Sequence, residues 1–544
     1  MANPDKFLRL RDYARLERAQ KAGVVDGTKF AYDSAKHVVS NVREYFDAHR
    51  DGRTYGVRFP LYSFSNSPDG VKVGDNAGLT VVPSSNYRAG RDDYAGLSAF
   101  RVFDANVAVA DDGTPVVKAI KGLAGNYAKD GSNGDVFVIT TPGFYRFEFD
   151  TNHCTIWYSD TQYDGYSPMP GALLPDGSLR PCMAYAKYPL SNYGGKAASV
   201  SGQIPASMSE HGSVSVPTSK GKGYSGKTSA DTFYMQLMHM LKYAAKDIER
   251  YLGGDFNGSG QINVSKAETN VTRALVKATD AASIDLGSYV SVGTGTDRGD
   301  SKTGEAAAYR KVISKTVVDA ATTAINVSGA AFTTTTAMHV TQMPYLTGST
   351  DGVLGNDGIP REDVSKTHQP IRLQGIELFA GIYETEGDII LKNVKESDTS
   401  GHTEVWKVFD TTKRATPPSP PTTCMWATIH RQRQDRQPVA VADRLHRKAR
   451  IPAAHRRGRD KHQRSDRRAD HQRSPLRDCM SCGAVAVSGA ARAAGCSART
   501  AGTVCRTLGG TSAVAIHSWP HARLVRAVGG ERQRGGESPL ITLV

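Results

Sequence analysis

The sequence is poor in cysteine and has no long apolar run. Cys154 and Cys182 are the only cysteines in the first 413 residues, and two isolated thiols do not build a disulfide framework. No stretch of about 18 apolar residues occurs, which argues against a membrane-spanning helix. The chain is charged from Asp5 onward and offers no apolar core for a secretory signal. We therefore expect no membrane insertion and no signal peptide.

The last 131 residues lack three residue types that the preceding chain uses freely. All 23 Tyr and all 16 Phe lie before residue 414, and no Asn follows that position. Residues 414–544 hold 22 Arg, 2 Lys and 8 acidic residues, so they account for the net charge of +14, and the preceding body is close to neutral. Their runs of Arg, Ala, Pro and His show no apolar period, so they cannot bury a core that offsets chain entropy.

Two interpretations of residues 414–544 remain open. One is a disordered basic tail that binds nucleic acid through phosphate contacts. The other is a shift of reading frame near codon 414, after which the gene is translated out of register. The abrupt loss of Tyr, Phe and Asn, together with the scarcity of Lys, favours the frame shift. It also argues against nucleic acid as a partner.

The patterns before residue 414 predict an α+β protein in three parts. Residues 1–52 form an N-terminal helical segment for attachment or oligomerisation, with one helix from Pro4 to Lys21 and a second with an apolar stripe from Ala31 to Phe46. Residues 53–159 form a small antiparallel β domain, and residues 160–413 form a larger domain. The clearest predicted strands are Val136–Ile139, Phe144–Phe149 and Thr155–Tyr158.

A glycine-rich stretch in the middle of the chain matches a phosphate-binding loop. Gly221, Gly226, Lys227 and Thr228 satisfy G-x-x-x-x-G-K-[ST], in which backbone N–H groups cradle the phosphates and the Lys reaches the terminal ones. The alternative is a surface loop that caps a long helix ending at Gly253-Gly254. Because no buried parallel strand precedes the motif, we favour the helix cap. A nucleotide-binding protein that uses Lys227 is kept as an alternative function.

The segment after this helix partly matches a calcium loop. Asp255, Asn257 and Ser259 fit its first, third and fifth positions. Lys266 stands at the twelfth position, where a bidentate carboxylate is required. We therefore expect no cofactor and no metal, and we keep calcium as the weaker alternative.

The most specific pattern lies between Tyr345 and Asn393, which reads YLTGSTDGVLGNDGIPREDVSKTHQPIRLQGIELFAGIYETEGDIILKN. It resembles the signature R-x-x-G-I-E-N-x-x-G-x-x-W-E of C-type-lectin-like domains related to the sulfatase-modifying-factor group. Leu378 stands where the signature has Asn, and Tyr383-Glu384 matches Trp-Glu if one residue is missing. The residues that carry the resemblance are Arg372, Gly375, Ile376, Glu377, Gly381 and Glu384.

The resemblance implies a C-type-lectin-like fold for residues 160–413, in a domain that lacks its proper end, and a place in the tail of a bacteriophage. Two stretches upstream read DGYSPMPGALLPDGSLRPCMAYAKYP and GYSGKTSADTFYMQLMHMLKYA. They resemble the start and the main helix of the same module in virion proteins of phages that infect gut Firmicutes. The implied function is that of a tail structural or receptor-binding protein, made in the host cytoplasm and carried in the virion. Its implied partners are a host cell-surface receptor, other tail proteins and further copies of itself.

No residues stand out as catalytic. Enzymes that share the C-type-lectin-like fold use a reactive cysteine pair near the C-terminus, and the cysteines after residue 414 lie in no matching context. Because a fold alone does not confer activity, we expect a non-enzymatic protein. The residues that bind its ligand are not identified by the sequence.

Overall fold

The protein is mostly β, so the predicted α+β class is wrong. The computed structural model describes residues 29–206, 216–254, 260–295, 303–378, 386–395, 401–408 and 423–431. Strands make up 37% and helices 11% of the structure. The predicted helix from Pro4 to Lys21 lies outside the described residues. None of the described helices is long and apolar enough to cross a membrane.

The second predicted N-terminal helix is largely replaced by a hairpin. Strands β1 (Tyr32–Asp33) and β2 (Val38–Val39) pair, and only helix α1 (Val42–Ala48) follows. The Asp33 carboxylate accepts hydrogen bonds from the N–H groups two and three residues later, and His37 has a φ of 54°. These features form a turn that interrupts the predicted helix. The apolar residues that predicted one helix are buried from two different elements, Val39 from strand β2 and Val42 and Phe46 from helix α1.

Two larger antiparallel sheets follow along the chain. The first has the strand order β12-β10-β11-β3-β4, and the second has the order β13-β9-β7-β8. The strands of this region are β3 (Tyr55–Pro60), β4 (Val71–Gly74), β5 (Val81–Val82), β6 (Arg91–Asp92), β7 (Val102–Val109), β8 (Pro115–Ile120), β9 (Val136–Thr140), β10 (Phe144–Phe149), β11 (His153–Ser159), β12 (Ser167–Pro168), β13 (Met183–Ala186), β14 (Ser191–Tyr193) and β15 (Lys196–Ala198).

Helix α2 (Ser229–Tyr243) packs into the main hydrophobic core. That core combines α2 with residues of both larger sheets, so it extends across residue 160, where the sequence suggested a domain boundary. The helix ends earlier than predicted, because Ala244 adopts a left-handed φ of 51° well before Gly253-Gly254. The apolar residues beyond it remain buried without helical structure. The fully buried members of its apolar stripe are Tyr234, Leu237, Met238 and Leu241.

A closed six-stranded barrel is inserted after α2. Its strand order is β16-β17-β20-β19-β18-β21, and it buries a core of its own that is separate from the main one. The barrel lies within residues 160–413, which the resemblance assigned to a single C-type-lectin-like domain. Its strands are β16 (Gln261–Lys266), β17 (Arg273–Lys277), β18 (Tyr289–Gly293), β19 (Ala307–Asp319), β20 (Thr322–Val327) and β21 (His339–Met343).

The chain then returns to the main core and ends, within the described residues, in a small sheet. Strands β22 (Ile371–Leu373) and β23 (Ile376–Leu378) form a hairpin whose apolar side chains belong to the main core. Strands β24 (Ile389–Lys395), β25 (Gly401–Val408) and β26 (Thr423–Arg431) form an antiparallel three-stranded sheet. Because β26 pairs with the whole of β25, regular structure continues beyond residue 414.

Candidate functional site

The lectin-type signature residues form the β22–β23 hairpin. Arg372 lies directly opposite Glu377 in its register. Gln374 has a φ of 50° and Gly375 a φ of 78°, so both turn residues are left-handed, as a tight two-residue hairpin requires. Ile376 is buried in the main core. The hairpin therefore explains the Arg, Gly, Ile and Glu positions as structural ones. Gly381 and Glu384 lie outside the described residues.

Glu377 is a buried carboxyl that holds the loop preceding the hairpin. One of its oxygens accepts a hydrogen bond from the N–H of Gly348 at 3.0 Å. The other accepts from the N–H of Thr350 at 2.8 Å and from its hydroxyl at 2.9 Å. Burial raises the pKa of Glu377 to about 7, although these hydrogen bonds act in the opposite direction. Three donors on one side chain fix the loop backbone at this point.

Arg372 holds the same loop farther along. Its guanidinium Nη1 donates to the carbonyl oxygen of Val353 at 3.0 Å. Its backbone N–H and C=O exchange hydrogen bonds of 2.8 Å with Gly358. The two signature residues therefore clamp one loop from opposite strands of the hairpin.

The clamped loop pairs with a second loop to form a joint surface. We define the paired-loop surface as residues 83–90 together with residues 348–363. Ser84 forms a parallel bridge with Gly358. The N–H of Ser84 donates to the carbonyl oxygen of Asp357 at 2.9 Å, and its carbonyl oxygen accepts from the N–H of Ile359 at 3.0 Å. Further backbone hydrogen bonds join Leu354 to Ser85 at 3.1 Å and Asn86 to Pro360 at 3.2 Å. The two loops are thus joined as a miniature sheet.

Three glycines allow the loops to approach this closely. A Cβ atom on Gly352 would lie 2.9 Å from the side-chain amide carbon of Asn86. One on Gly355 would lie 2.5 Å from the Ser84 hydroxyl, and one on Gly358 would lie 2.0 Å from the Ser84 carbonyl oxygen. Such contacts are far inside van der Waals distance, so a side chain at these positions would push the loops apart. The glycine-rich composition of the loop follows from this packing.

Buried charged groups connect the paired-loop surface to the rest of the protein. The fully buried Lys242 ammonium lies 2.8 Å from Asp357 and 3.1 Å from Asp92. The Tyr243 hydroxyl donates to Asp357 at 3.2 Å, and the backbone N–H of Gln374 donates to its other oxygen at 2.9 Å. Buried carboxylates persist when they are paired and hydrogen-bonded. Asp357 therefore connects the loop to helix α2 and to the hairpin turn.

A second, partly buried aspartate anchors the loop at another point. The Asp351 carboxylate accepts a hydrogen bond from the Tyr188 hydroxyl at 2.7 Å and pairs with Lys129 at 2.8 Å. Lys187 lies 3.9 Å from it and 2.6 Å from Asp104. Burial alone would raise the pKa of Asp351, but the hydrogen bonds from Lys129 and Tyr188, together with the charges of Lys187 and Lys129, lower that pKa. The loop is therefore held by charged groups at two points.

Two large side chains are exposed on the paired-loop surface. Tyr87 is 74% exposed and Leu354 is 60% exposed, one on each loop. The Arg88 Nε donates to Glu362 at 2.8 Å across the two loops. An exposed aromatic and an exposed leucine on a fixed backbone, bordered by charged groups, can bind a macromolecular partner. The sequence identified the residues of the clamp and missed the exposed residues that it positions.

The phosphate-loop residues cap helix α2. The Thr228 hydroxyl accepts from the N–H of Asp231 at 3.4 Å, and the Asp231 carboxylate accepts from the N–H of Thr228 at 2.7 Å. Asp388 accepts from the N–H and the hydroxyl of Ser229, both at 2.8 Å. These carboxylates occupy the N–H groups that would bind a phosphate. The other motif residues lie in the loop before the helix. Gly221 has a positive φ of 154°, and Gly226 directly precedes Lys227. The backbone carbonyl oxygen of Lys227 accepts a hydrogen bond from the N–H of Gly387.

The predicted calcium loop cannot be compared with the structure. Asp255, Asn257 and Ser259 all lie outside the described residues. Elsewhere in the described ranges, no group of three or more His, Cys, Asp or Glu side chains is arranged to hold a metal ion. Cys154 and Cys182 are both free thiols, and burial raises the pKa of each. No match to a protein-family model, to a curated protein or to a solved structure was found.

Proposed function

We propose that this chain is a non-enzymatic receptor-binding protein of a bacteriophage tail, which contacts the host cell through its paired-loop surface. The observation that carries the proposal is the display of Tyr87 and Leu354 on two loops locked together by backbone hydrogen bonds and anchored by buried charges. The likeness of residues 345–393 to phage tail modules supports the same function.

The construction of this surface suits recognition of a fixed receptor. Ordering a flexible loop on binding reduces affinity, and a preorganised loop avoids that loss. Aromatic and large apolar side chains supply most of the binding energy when they enter a partner's pocket, and a polar rim excludes water around them. The exposure of Tyr87 and Leu354 supports their assignment as such anchors, and the Arg88–Glu362 pair provides polar groups on the same surface.

Cell binding by the full-length protein tests the proposal. Fluorescently labelled protein is incubated with a panel of gut Firmicutes, and bound protein is measured by flow cytometry. We expect saturable binding to a subset of strains, and competition with phage adsorption on those strains. Tyr193→Ala serves as a control, because Tyr193 is an exposed aromatic on another sheet. Binding to no strain, or equal non-saturable binding to all, would contradict the proposal.

The proposal includes self-association and contact with other tail proteins. The barrel strand β19 carries exposed Ile313, Val317 and Val318 beyond the part that pairs with β18. Exposed β-branched residues on a strand edge favour pairing with another chain, and flanking lysines such as Lys311 restrict it. Sedimentation velocity of the full-length protein over a range of concentrations measures the oligomer. A monomer at all concentrations would remove self-association from the proposal.

A further inference from the structure

The five-stranded sheet has an outer face that the paired-loop surface does not use. Its inner face belongs to the main core, with Tyr55, Ile156 and Tyr158 buried there. Because side chains alternate along a strand, the residues between them point outward. The strand registers align four outward positions in one row across β10, β11, β3 and β4. These positions are Arg146, Trp157, Gly56 and Val73.

Trp157 lies over glycine backbone in the middle of this row. A Cβ atom on Gly56 would lie 2.7 Å from the indole Cζ3, and one on Gly74 would lie 2.6 Å from the same atom. The indole therefore packs directly over two positions that lack side chains. The residue is half-buried, so it keeps some contact with solvent. The sheet thus carries an aromatic group on an outer face that holds Arg146 on one side of it and Val73 on the other.

Polar groups with fixed orientation border the indole. The Glu148 carboxylate accepts a hydrogen bond from the indole Nε1–H of Trp157, and its other oxygen accepts from Arg146 at 2.5 Å. The Arg146 guanidinium also lies 5.3 Å from the ring centre of Tyr166. One row farther along, Thr155 aligns with Glu148 and with Arg58. Hydroxyl, carboxylate and guanidinium groups therefore face outward beside one aromatic plane.

We propose that this outer face is a binding site for a neutral sugar ring of a surface glycan. The apolar C–H face of a pyranose stacks on an indole, while its hydroxyls exchange hydrogen bonds with planar polar groups at the side. Trp157 supplies the stacking surface, and Glu148, Arg146 and Thr155 supply acceptors and donors.

The local charge favours a neutral ligand over an acidic one. Arg146 is paired with Glu148 at 2.5 Å, and Arg58 is paired with Asp150 at 2.5 Å. Each guanidinium is thus balanced by a carboxylate, so the face offers no excess positive charge to a sugar acid. A second protein chain is a less suitable occupant, because buried charged pairs at an interface bring a large desolvation cost.

Titration with soluble sugars tests this site separately from cell binding. The full-length protein is titrated with N,N′-diacetylchitobiose, with cellobiose and with a hexuronic acid disaccharide. Indole emission and saturation-transfer NMR report binding. We expect one or both neutral disaccharides to bind and to change the indole emission. Trp157→Ala should weaken that binding at least about tenfold.

Two further variants separate recognition from folding. Glu148→Gln keeps the shape of the side chain and an acceptor for the indole N–H, yet removes the charge, and it should weaken sugar binding several-fold. Phe149→Ala is the matched control, because Phe149 is exposed on the same strand and points to the opposite face. It should leave binding unchanged.

Three results would overturn the site. They are no binding of either neutral disaccharide by folded protein, binding only of the acidic disaccharide, and binding that Trp157→Ala and Glu148→Gln leave unchanged. Because no cells are used, the sugar site can fail while the paired-loop surface still binds cells, and the reverse also holds.

Discussion

Replacing Glu377 by glutamine should change how the stability of the protein depends on pH. The buried carboxyl has a pKa of about 7, raised by burial from an ordinary value of 4.5. Because the folded state holds this proton more tightly than the unfolded state, the free energy of unfolding should fall as pH rises from about 4.5 to about 7. A shift of this size corresponds to about 3 kcal/mol in total.

The amide introduced by Glu377→Gln does not titrate, so the variant should lose this part of the pH dependence. An amide side chain offers one acceptor oxygen where the carboxylate offers two to Gly348 and Thr350. At least one buried N–H is then left unsatisfied, which costs about 1–3 kcal/mol. The difference in stability between wild type and E377Q should therefore shift by about 3 kcal/mol in favour of the variant between mildly acidic and mildly alkaline pH.

Urea unfolding of both proteins at several pH values measures this difference. Other titrating groups, such as Glu386 with its pKa raised by burial to about 7, are present in both proteins and cancel. Glu362→Gln is the control, because Glu362 is a half-exposed carboxyl on the paired-loop surface. Hydrogen exchange of the amides at Gly348 and Thr350 locates the effect. A stability difference that is the same at every pH would refute the reasoning about Glu377.

Three further predictions concern the loops and helix α2. Gly358→Ala should destabilise by about 1–3 kcal/mol through overpacking against the facing loop, whereas Gly96→Ala should have little effect, because a Cβ there meets no atom within 4 Å; thermal unfolding compares the two. Lys242→Met should destabilise by about 3–5 kcal/mol, because the buried Asp357 and the partly buried Asp92 lose their cation; a change below about 1 kcal/mol would contradict the support assigned to this lysine. Lys227→Ala should leave ATP affinity unchanged in equilibrium dialysis, and a clear loss would restore the nucleotide-binding alternative.

Local patterns in the sequence predicted individual strands well. The predicted strands Val136–Ile139, Phe144–Phe149 and Thr155–Tyr158 lie within or closely match observed strands. Short apolar runs bounded by turn residues determine such elements locally. Predictions from apolar spacing alone failed at two places. Near the N-terminus a turn at Asp33 replaces the predicted helix by a hairpin, and at the end of α2 the left-handed Ala244 stops the helix early. Both depend on backbone conformation that spacing does not encode.

The candidate site could be predicted only in part. The signature identified Arg372 and Glu377, but their role depends on a loop that contacts residues 83–90, more than two hundred positions away. A single sequence does not reveal such long-range pairing, so Tyr87 was missed. The frame shift near codon 414 stays a prediction.

The measurement that tests the central claim most directly is the affinity of a loop variant for host cells. The double variant Tyr87→Ala/Leu354→Ala is compared with wild type and with Tyr193→Ala on a strain that wild type binds. Both substituted residues are exposed, so the variant should fold as wild type does, which circular dichroism and thermal unfolding check. We predict at least about a tenfold loss of affinity for the double variant and no change for Tyr193→Ala. Equal affinity of all three proteins would contradict the claim that the paired-loop surface recognises the receptor.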